Sequence, residues 1–395
     1  MAQVVPFTSA AKMHRERIMS LAWTPGTATQ LLTTGANTQI KAYPYLRSIL
    51  LHVYQTGTSG GNLNADAPWN ALASIGVTDT NGSGIYGGTT FTGFDAYATS
   101  LFMGSRPDTD PTLQPCYSGA SSTYEYWLRI PFEYNPRTGA GALPNMSANA
   151  TYGLQLVGNT SAAIWQTAPT TIGTTTVDVW MENWTLPDPQ DLLGRHQMQG
   201  PPLLGTTQYV TKQQYTTVGS SANTVALTRK GNMNRKWILV TRNASGTANN
   251  NRIAVAGAAG TGPGGGALPN PFEFWWDGNR LSSDDPQFLL VKNAEEVAGQ
   301  INTTGAAGRA SIPTGVVCYE WSSPFGRSWG GDGEGGWLAT TQSSRLEYVG
   351  SNWGTNMTEL DVITIDVAPI ALANQYALDS QTGKLLYPAQ PEVRG

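Results

Sequence analysis

Residues 124–156 read YEYWLRIPFEYNPRTGAGALPNMSANATYGLQL and indicate most clearly how this chain folds. Apolar and aromatic residues occupy every second position in the first part of the segment. Side chains of an extended chain alternate between two faces, so one face holds Tyr124, Tyr126, Leu128, Ile130, Phe132 and Tyr134. The other face holds Glu125, Trp127, Arg129, Pro131 and Glu133. The pattern predicts a strand with one face on a sandwich core and the other toward solvent or a partner.

Similar strand-like runs, separated by turn-forming clusters, continue on both sides of this segment. In the first half they cover residues 39–55, 71–77, 89–103, 151–157 and 174–184. In the second half they cover 206–218, 223–229, 236–242, 252–256, 272–277, 315–321, 336–341, 346–350 and 360–367. Glycine (45 residues), Tyr (16) and Trp (13) are abundant, and long helical periodicity is almost absent. The sequence therefore predicts an all-β protein.

The length of 395 residues exceeds what one hydrophobic core usually organises, so we expect two β-sandwiches. The Pro-flanked stretch LPDPQDLLGRHQMQGPP from Leu186 to Pro202 is typical of a linker. We expect a helical arm over 1–37, a first sandwich over 38–186, a linker over 187–203, a second sandwich over 204–370 and a tail over 371–395. Both sandwiches end alike, in TTTVDVWMENWTLP and in LDVITIDVAP, which favours a duplicated unit.

Two helices are expected beside the strands. The run from Ser9 to Trp23 mixes charged residues with apolar ones behind Thr8, a suitable N-cap, which predicts a short N-terminal helix. The second helix runs from Asp285 to about Ile301, where Phe288 and Val291 belong to an apolar stripe that we expect to lie against a sandwich edge.

Charge and cysteine content exclude several classes of protein. Charged residues make up 13% of the chain, against roughly a quarter in an ordinary domain, which suits the charge-poor centres of protein interfaces. The net charge of −4 and the lack of a basic run give no sign of direct, sequence-specific nucleic-acid binding. Cys116 and Cys318 are too few for a disulfide framework. Neither a signal peptide nor a spanning helix is evident, so synthesis and folding in a cytosol are expected.

The candidate catalytic patterns have simpler explanations. Two G-x-S-x-G matches, at Ser59 and Ser328, lack the helix that must follow a nucleophile elbow. The acidic pairs Asp332 with Glu334, Asp284 with Asp285, and Asp108 with Asp110 are typical of a loop, a helix cap and a turn. The tryptophans that could stack on sugars are more often core or interface residues: Trp275, Trp276, Trp329 and Trp337. We therefore expect no enzyme, cofactor or metal site.

Four features, taken in order, resemble the major capsid proteins of tectiviruses, phages with an internal membrane. They are the start MAQVVPFTSAAKMHRERIMSLA, the segment 124–156, the helix beginning at Asp285-Pro286, and PTGVVCYEWSSPF from Pro313 to Phe325. The resemblance implies two tandem eight-stranded jelly rolls, a homotrimer of pseudo-hexagonal outline that tiles an icosahedral shell, and contacts with neighbouring trimers and with other capsid proteins such as a vertex protein.

The resemblance also gives a role to the basic residues Lys12, Arg15 and Arg17, since the N-terminal end of such subunits faces the enclosed membrane. A basic residue near an anionic surface contributes about 1 kcal/mol. The alternative is a solvated helix face paired with Glu16. Two other functions stay open for the chain as a whole: a carbohydrate-binding or carbohydrate-active β-sandwich protein, and a phage spike or decoration protein.

Overall fold

A computed structural model describes most of the chain. The described residues are 7, 11–57, 60–103, 117–118, 122–136, 139–149, 151–186, 207–216, 223–243, 252–256, 266–296, 300–301, 311–321, 337–351, 353–354 and 357–368. No helix among them is long and apolar enough to cross a membrane.

The first half of the chain contains twelve strands among these residues: β1 (Met13–Trp23), β2 (Gln30–Leu31), β3 (Tyr43–Gln55), β4 (Asn62–Leu63), β5 (Leu72–Thr78), β6 (Gly84–Gly88), β7 (Tyr117–Ser118), β8 (Thr123–Pro131), β9 (Leu143–Asn145), β10 (Gly153–Gly158), β11 (Trp165–Thr167) and β12 (Thr175–Trp184). It also contains helices α1 (Gly93–Phe102) and α2 (Ser161–Ile164) and short 3-10 turns at Gly35–Thr38 and Trp69–Ala71.

The second half contains the remaining described strands: β13 (Gln208–Thr216), β14 (Asn223–Leu227), β15 (Met233–Arg242), β16 (Phe272–Trp276), β17 (Asn279–Asp284), β18 (Gln300–Ile301), β19 (Ser311–Ile312), β20 (Val316–Glu320), β21 (Leu338–Ala339), β22 (Leu346–Gly350) and β23 (Glu359–Val367). Helix α3 (Pro286–Glu296) follows β17.

The two halves repeat one strand order. In the first half the facing sheets run β1-β12-β3-β8 and β2-β10-β5-β6; in the second they run β13-β23-β15-β20 and β14-β22-β16-β17. In each half, therefore, the first strand lies beside the last, and a helix follows the strand at the end of the second sheet. Each half is an eight-stranded jelly roll, and the expected duplicated, double jelly-roll fold is confirmed. The similar endings in the sequence are β12 and β23, which occupy equivalent positions.

The two sandwiches form a continuous body. Strand β6 of the first pairs in parallel with β13 of the second through Val210 and Tyr86, which joins two four-stranded sheets into one. A single buried cluster extends from Leu128 and Ile130 in the first sandwich to Ile238 and Ile363 in the second. The sheet containing β13 and β23 therefore has apolar residues on both faces, and its other face packs on a separate core around Trp237.

The alternating strand in the segment 124–156 is confirmed. Its predicted core face is at most 2% exposed at every second residue from Tyr124 to Phe132. Its last predicted member, Tyr134, is half-buried and lies beyond the end of β8 at Pro131. On the opposite face Glu125 is exposed, and Trp127 and Arg129 are half-buried.

The expected N-terminal helix is wrong over Met13–Trp23, which form β1 and pair with β12. The register shifts between Arg17 and Met19, so a β-bulge moves the alternation by one residue before Leu21 and Trp23 turn inward. That shift hides the two-residue period and produces a helix-like spacing of apolar residues. Residues 13–23 therefore belong to a sheet of the first sandwich and not to a helical arm.

The expected strand over 89–103 is also wrong, because Gly93–Phe102 form α1. A capping box begins this helix: Thr92 accepts from the Asp95 backbone, and the Asp95 side chain accepts from the Thr92 backbone. All ten residues are buried. A helix surrounded by protein has no polar face, so the sequence shows no helical period.

The helix expected from Asp285 to about Ile301 is confirmed as α3, but its expected end is wrong, because α3 stops at Glu296 and Gln300–Ile301 form β18. Asp285 accepts a hydrogen bond from the Gln287 backbone. The stripe assignment was wrong. Phe288 and Val291 are 59% and 47% exposed, whereas Leu289 and Asn293 face the sandwich. Asn293 holds the edge of β20 by exchanging two hydrogen bonds with the Cys318 backbone.

Several expectations concern residues outside the described ranges. They are the linker 187–203, the tail 371–395, Cys116, Trp329, the motif serines 59 and 328, and the acidic pairs at 108 and 110 and at 332 and 334. The remaining domain boundaries stay predictions.

Candidate functional surfaces

The three basic residues expected at a membrane lie at the edge of the first sheet. Lys12 precedes β1, and its backbone N–H donates to the hydroxyl of Thr185. Arg15 and Arg17 extend from the outer face of β1 and are 57% and 55% exposed along their side chains. The alternative expectation was that these basic residues pair with Glu16. Neither arginine does so, because Glu16 pairs with Lys41 at 2.6 Å.

Both arginines instead pair with acidic residues of the adjacent strand β12. Arg15 Nε lies 2.6 Å from Glu182, and Arg17 lies 3.5 Å from Asp178. Glu182 has a 1% exposed side chain and also receives hydrogen bonds from Ser48 and Arg129. Burial alone would raise the pKa of Glu182, but the Ser48 bond and the Arg129 charge outweigh it and hold this pKa below the usual glutamate range.

A cavity of about 430 Å³ lies beside this network. Its lining brings together Arg15, Arg47 and Arg129 from the first sheet with Arg235 from β15 in the second sandwich. The carboxylates in the lining are Glu133, which pairs with Arg47, and Glu182. Four arginines against two carboxylates make the cavity wall basic.

The outer face of the first sheet carries partly exposed apolar side chains beside these charges. Trp180 of β12 and Leu50 of β3 are register partners and are half-buried. Farther along the face, His52 stacks on Trp127 with ring centroids 4.2 Å apart and bonds Glu125 at 2.8 Å. Within the chain no described element covers this row of side chains completely, so it can receive a partner.

A buried set of charges fixes the junction between the sandwiches. Lys212 of β13 lies 2.9 Å from Asp95 of α1 and 3.0 Å from Asp361 of β23. Arg242 of β15 bonds Asp361 at 3.0 Å and Asp66 of the first sandwich at 2.6 Å. Arg252 also forms an ion pair with Asp66, at 2.7 Å. Three cations and three carboxylates therefore balance, and none of their side chains is more than 11% exposed.

These pairs specify how the sandwiches meet. Burial alone would lower the pKa of Lys212, but Asp95 and Asp361 raise it, so the ammonium stays charged. Leaving one member of a buried pair without its partner costs about 3–5 kcal/mol, which penalises any shifted junction. A buried lysine also fixes the C-terminal end of α1, because Lys236 Nζ donates a hydrogen bond to the Phe102 carbonyl at 2.6 Å.

The catalytic candidates that fall within the described residues have structural roles. Asp285 caps α3, and burial raises the pKa of Asp284 at the end of β17. Trp275 donates to Glu273, and Trp276 packs on the second core. Trp337 contacts Tyr134 edge-on at 5.5 Å. No group of three or more metal-ligating side chains occurs in the part of the chain that the structure describes.

No protein-family model and no curated protein sequence matches the chain. Several solved viral structures match its fold over 90% of its length. The major capsid protein of Sulfolobus Turreted Icosahedral Virus is 12% identical, is covered over 97% of its own chain and gives a TM-score of 0.56. The PBCV-1 virus capsid protein is 11% identical, is covered over 94% and also gives 0.56.

At this identity the likeness establishes the fold. The chain has the double jelly-roll fold of viral major capsid proteins. The fold expected from the sequence resemblance is confirmed, while the assignment to tectiviruses in particular stays a prediction.

Sequence reasoning missed the junction charges altogether. The members of this set are spread between Asp66 and Asp361, and nothing near each one in the sequence marks it. The one available signal was the spacing of Thr92 and Asp95, a capping pattern that reveals α1 and places Asp95 at its start.

Proposed function

We propose that this chain is the major capsid protein of an icosahedral, internal-membrane-containing bacteriophage of the tectivirus type. The repeated strand order carries the proposal, because it gives two jelly rolls fused in one chain with a fold shared by capsid proteins of two other viruses. Three such chains present six similar lobes, and six lobes around one axis make a pseudo-hexagonal tile.

The fused body suits this mechanical role. The joined sheet and the shared core make each chain a rigid block, and the six buried charges fix the angle between its lobes. The partners in this proposal are two further copies in the trimer, neighbouring trimers, other capsid proteins such as a vertex protein, and the inner membrane. The chain is made in the host cytoplasm, is assembled into the virion capsid, and reads no nucleic-acid sequence.

Electron microscopy of the purified chain tests the proposal. Trimeric, hexagon-shaped particles or shells are the expected result. A uniform monomer that binds carbohydrates on a glycan array would contradict the capsid function and favour a carbohydrate-binding protein. Trimers that do not assemble into sheets or shells would favour a spike or decoration protein.

The membrane contact has its own prediction. Replacing Lys12, Arg15 and Arg17 with Ser should weaken binding to anionic vesicles, because each base near the surface contributes about 1 kcal/mol and copies add through multivalency. The pairing of Arg15 and Arg17 with acidic side chains makes the loss smaller than for three free bases.

Vesicle co-sedimentation at low salt measures this loss. The matched control replaces Arg280, Lys292 and Arg345 of the second sandwich with Ser, which removes the same charge elsewhere. Equal binding by the two triple variants would remove the membrane role from the N-terminal residues.

A further inference from the structure

The junction inside the chain shows how one lobe receives the helix of another. Helix α1 of the first sandwich lies against the outer face of the sheet β13-β23-β15-β20. Its third residue, Asp95, meets Lys212, and both are buried. The phenyl ring of Phe94, also in α1, lies under the guanidinium group of Arg252 at 4.4 Å.

Helix α3 is the counterpart of α1 in the second sandwich. The two helices occupy the same place in the strand order, and the eighth residue of each bonds the backbone of the equivalent later strand, β8 or β20. Ser100 of α1 donates to the Arg129 carbonyl on β8, and Asn293 of α3 bonds Cys318 on β20. By the same count the third residue of α3 is Phe288 and its sixth is Val291.

The equivalent faces of the two helices differ in what covers them. Asp95 and Ala98, the third and sixth residues of α1, are fully buried. Phe288 and Val291, at the same positions of α3, are 59% and 47% exposed and share one face by their spacing. In a single chain, therefore, the face of α3 that corresponds to the buried junction of α1 lies open.

The receiving sheet also has a partly exposed counterpart. Lys212, Ile363, Ile238 and Cys318 are register partners across β13, β23, β15 and β20. In this row Lys212 pairs with Asp95 of α1, and the other three belong to the buried cluster that includes α1. Arg17, Trp180, Leu50 and Arg129 form the equivalent row across β1, β12, β3 and β8. Both rows begin with a base and continue with two apolar side chains. Each row ends at a residue whose backbone bonds the eighth residue of a helix: Cys318 bonds Asn293 of α3, and Arg129 bonds Ser100 of α1.

We propose that the exposed face of α3 in one copy packs on the Arg17–Trp180–Leu50 row of a second copy, repeating between chains the contact that α1 makes within the chain. This inference rests on the proposed function, since it names the surfaces through which the copies join. The contact is heterologous, so it closes a ring when each copy is rotated by one third of a turn from the last; three chains then supply six equivalent helix-on-sheet contacts.

The side chains suit the contact between copies. Where Asp95 forms an ion pair with Lys212, Phe288 brings an aromatic ring to Arg17 and Trp180, which allows cation–π and ring contacts. Arg17 then belongs to the interface between copies, so a variant that replaces only Lys12 and Arg15 tests the membrane contact without altering this interface.

The test compares two double variants by native mass measurement over a concentration series. Phe288→Asp with Val291→Asp places charge in the proposed contact, and an anchor of this kind changes the dissociation constant of the trimer by at least about tenfold. Leu31→Asp with Met146→Asp is the matched control, because these residues are 48% and 54% exposed and lie outside both rows. Circular dichroism checks that each variant is folded.

Dissociation of the Phe288/Val291 variant alone is the expected result. If the unmodified chain is a trimer and this variant dissociates no more than the control, the interface is wrong while the capsid function stands. If the unmodified chain is itself a monomer, the proposed function fails first. A second measurement mixes chains carrying Val291→Cys with chains carrying Arg17→Cys, and a disulfide between them is expected under oxidation. Cross-linking no greater than with Leu31→Cys chains would overturn the contact.

Discussion

At the scale of single residues, Glu182 shows how a polar network can lie on the outer face of a sheet. Ser48, Arg15 and Arg129 surround its carboxylate and leave it almost no exposure. The alternating pattern predicts that Arg129 lies on the outer face of its strand, but it cannot pair Arg129 with a carboxylate 53 residues away. Such pairing depends on strand register, which local patterns do not determine.

Glu182→Gln should destabilise the fold by about 2–4 kcal/mol at neutral pH, because it leaves arginines beside an uncharged buried group. The pKa of Glu182 is lowered by folding, so its contribution is present above the ordinary glutamate pKa of 4.5 and is lost as the pH falls through the lowered value. Urea unfolding at pH 7 and pH 4 should therefore show a smaller gap between variant and unmodified chain at pH 4.

Glu125→Gln is the control for this change, since Glu125 lies on the same sheet with a 64% exposed side chain. It should cost less than about 1 kcal/mol. Equal losses from the two substitutions would show that the Glu182 network does not stabilise the fold.

At the scale of elements, strands could be predicted where apolar and polar residues alternate without interruption. Elements that are buried on all sides, or that contain a bulge, could not be predicted. The strand beginning at Tyr124 has one buried face and one partly exposed face, so its two-residue period could be recognised in the sequence. Helix α1 is buried on every side, and β1 contains a bulge at Arg17, so neither shows its true period. Phe288 and Val291 of α3 were assigned to the sandwich-facing side because they are apolar. They are exposed in the single chain, and an exposed apolar face is typical of an interaction surface.

Gly93 shows how closely α1 is packed. A Cβ at Gly93 would lie 1.9 Å from the Trp69 carbonyl oxygen, and Trp69 also stacks on Tyr97 of the helix at 4.2 Å. Gly93→Ala should therefore shift α1 and cost about 1–3 kcal/mol in the free energy of unfolding. Gly84→Ala is the control, because nothing lies within 4 Å of its added Cβ, and it should stay within about 0.5 kcal/mol. Indistinguishable urea unfolding curves for the two variants would contradict the close packing of α1.

At the scale of the whole molecule, duplication explains most of the architecture. Each half contains one helix and one sheet that can receive a helix. Inside the chain, α1 of the first half packs on the sheet β13-β23-β15-β20 of the second. The exposed face of α3 and the outer face of the sheet β1-β12-β3-β8 are the surfaces through which the proposed ring would form. The sequence indicated two similar sandwiches, but the junction that makes them one body depends on contacts between residues as distant as Asp66 and Asp361.

The most direct test of this account is the native mass of the purified chain at micromolar concentration. Three times the 42.1 kDa of one chain is the expected mass, because the proposed pseudo-hexagonal ring contains three copies with two lobes each. A mass of one chain across the concentration range would contradict the account.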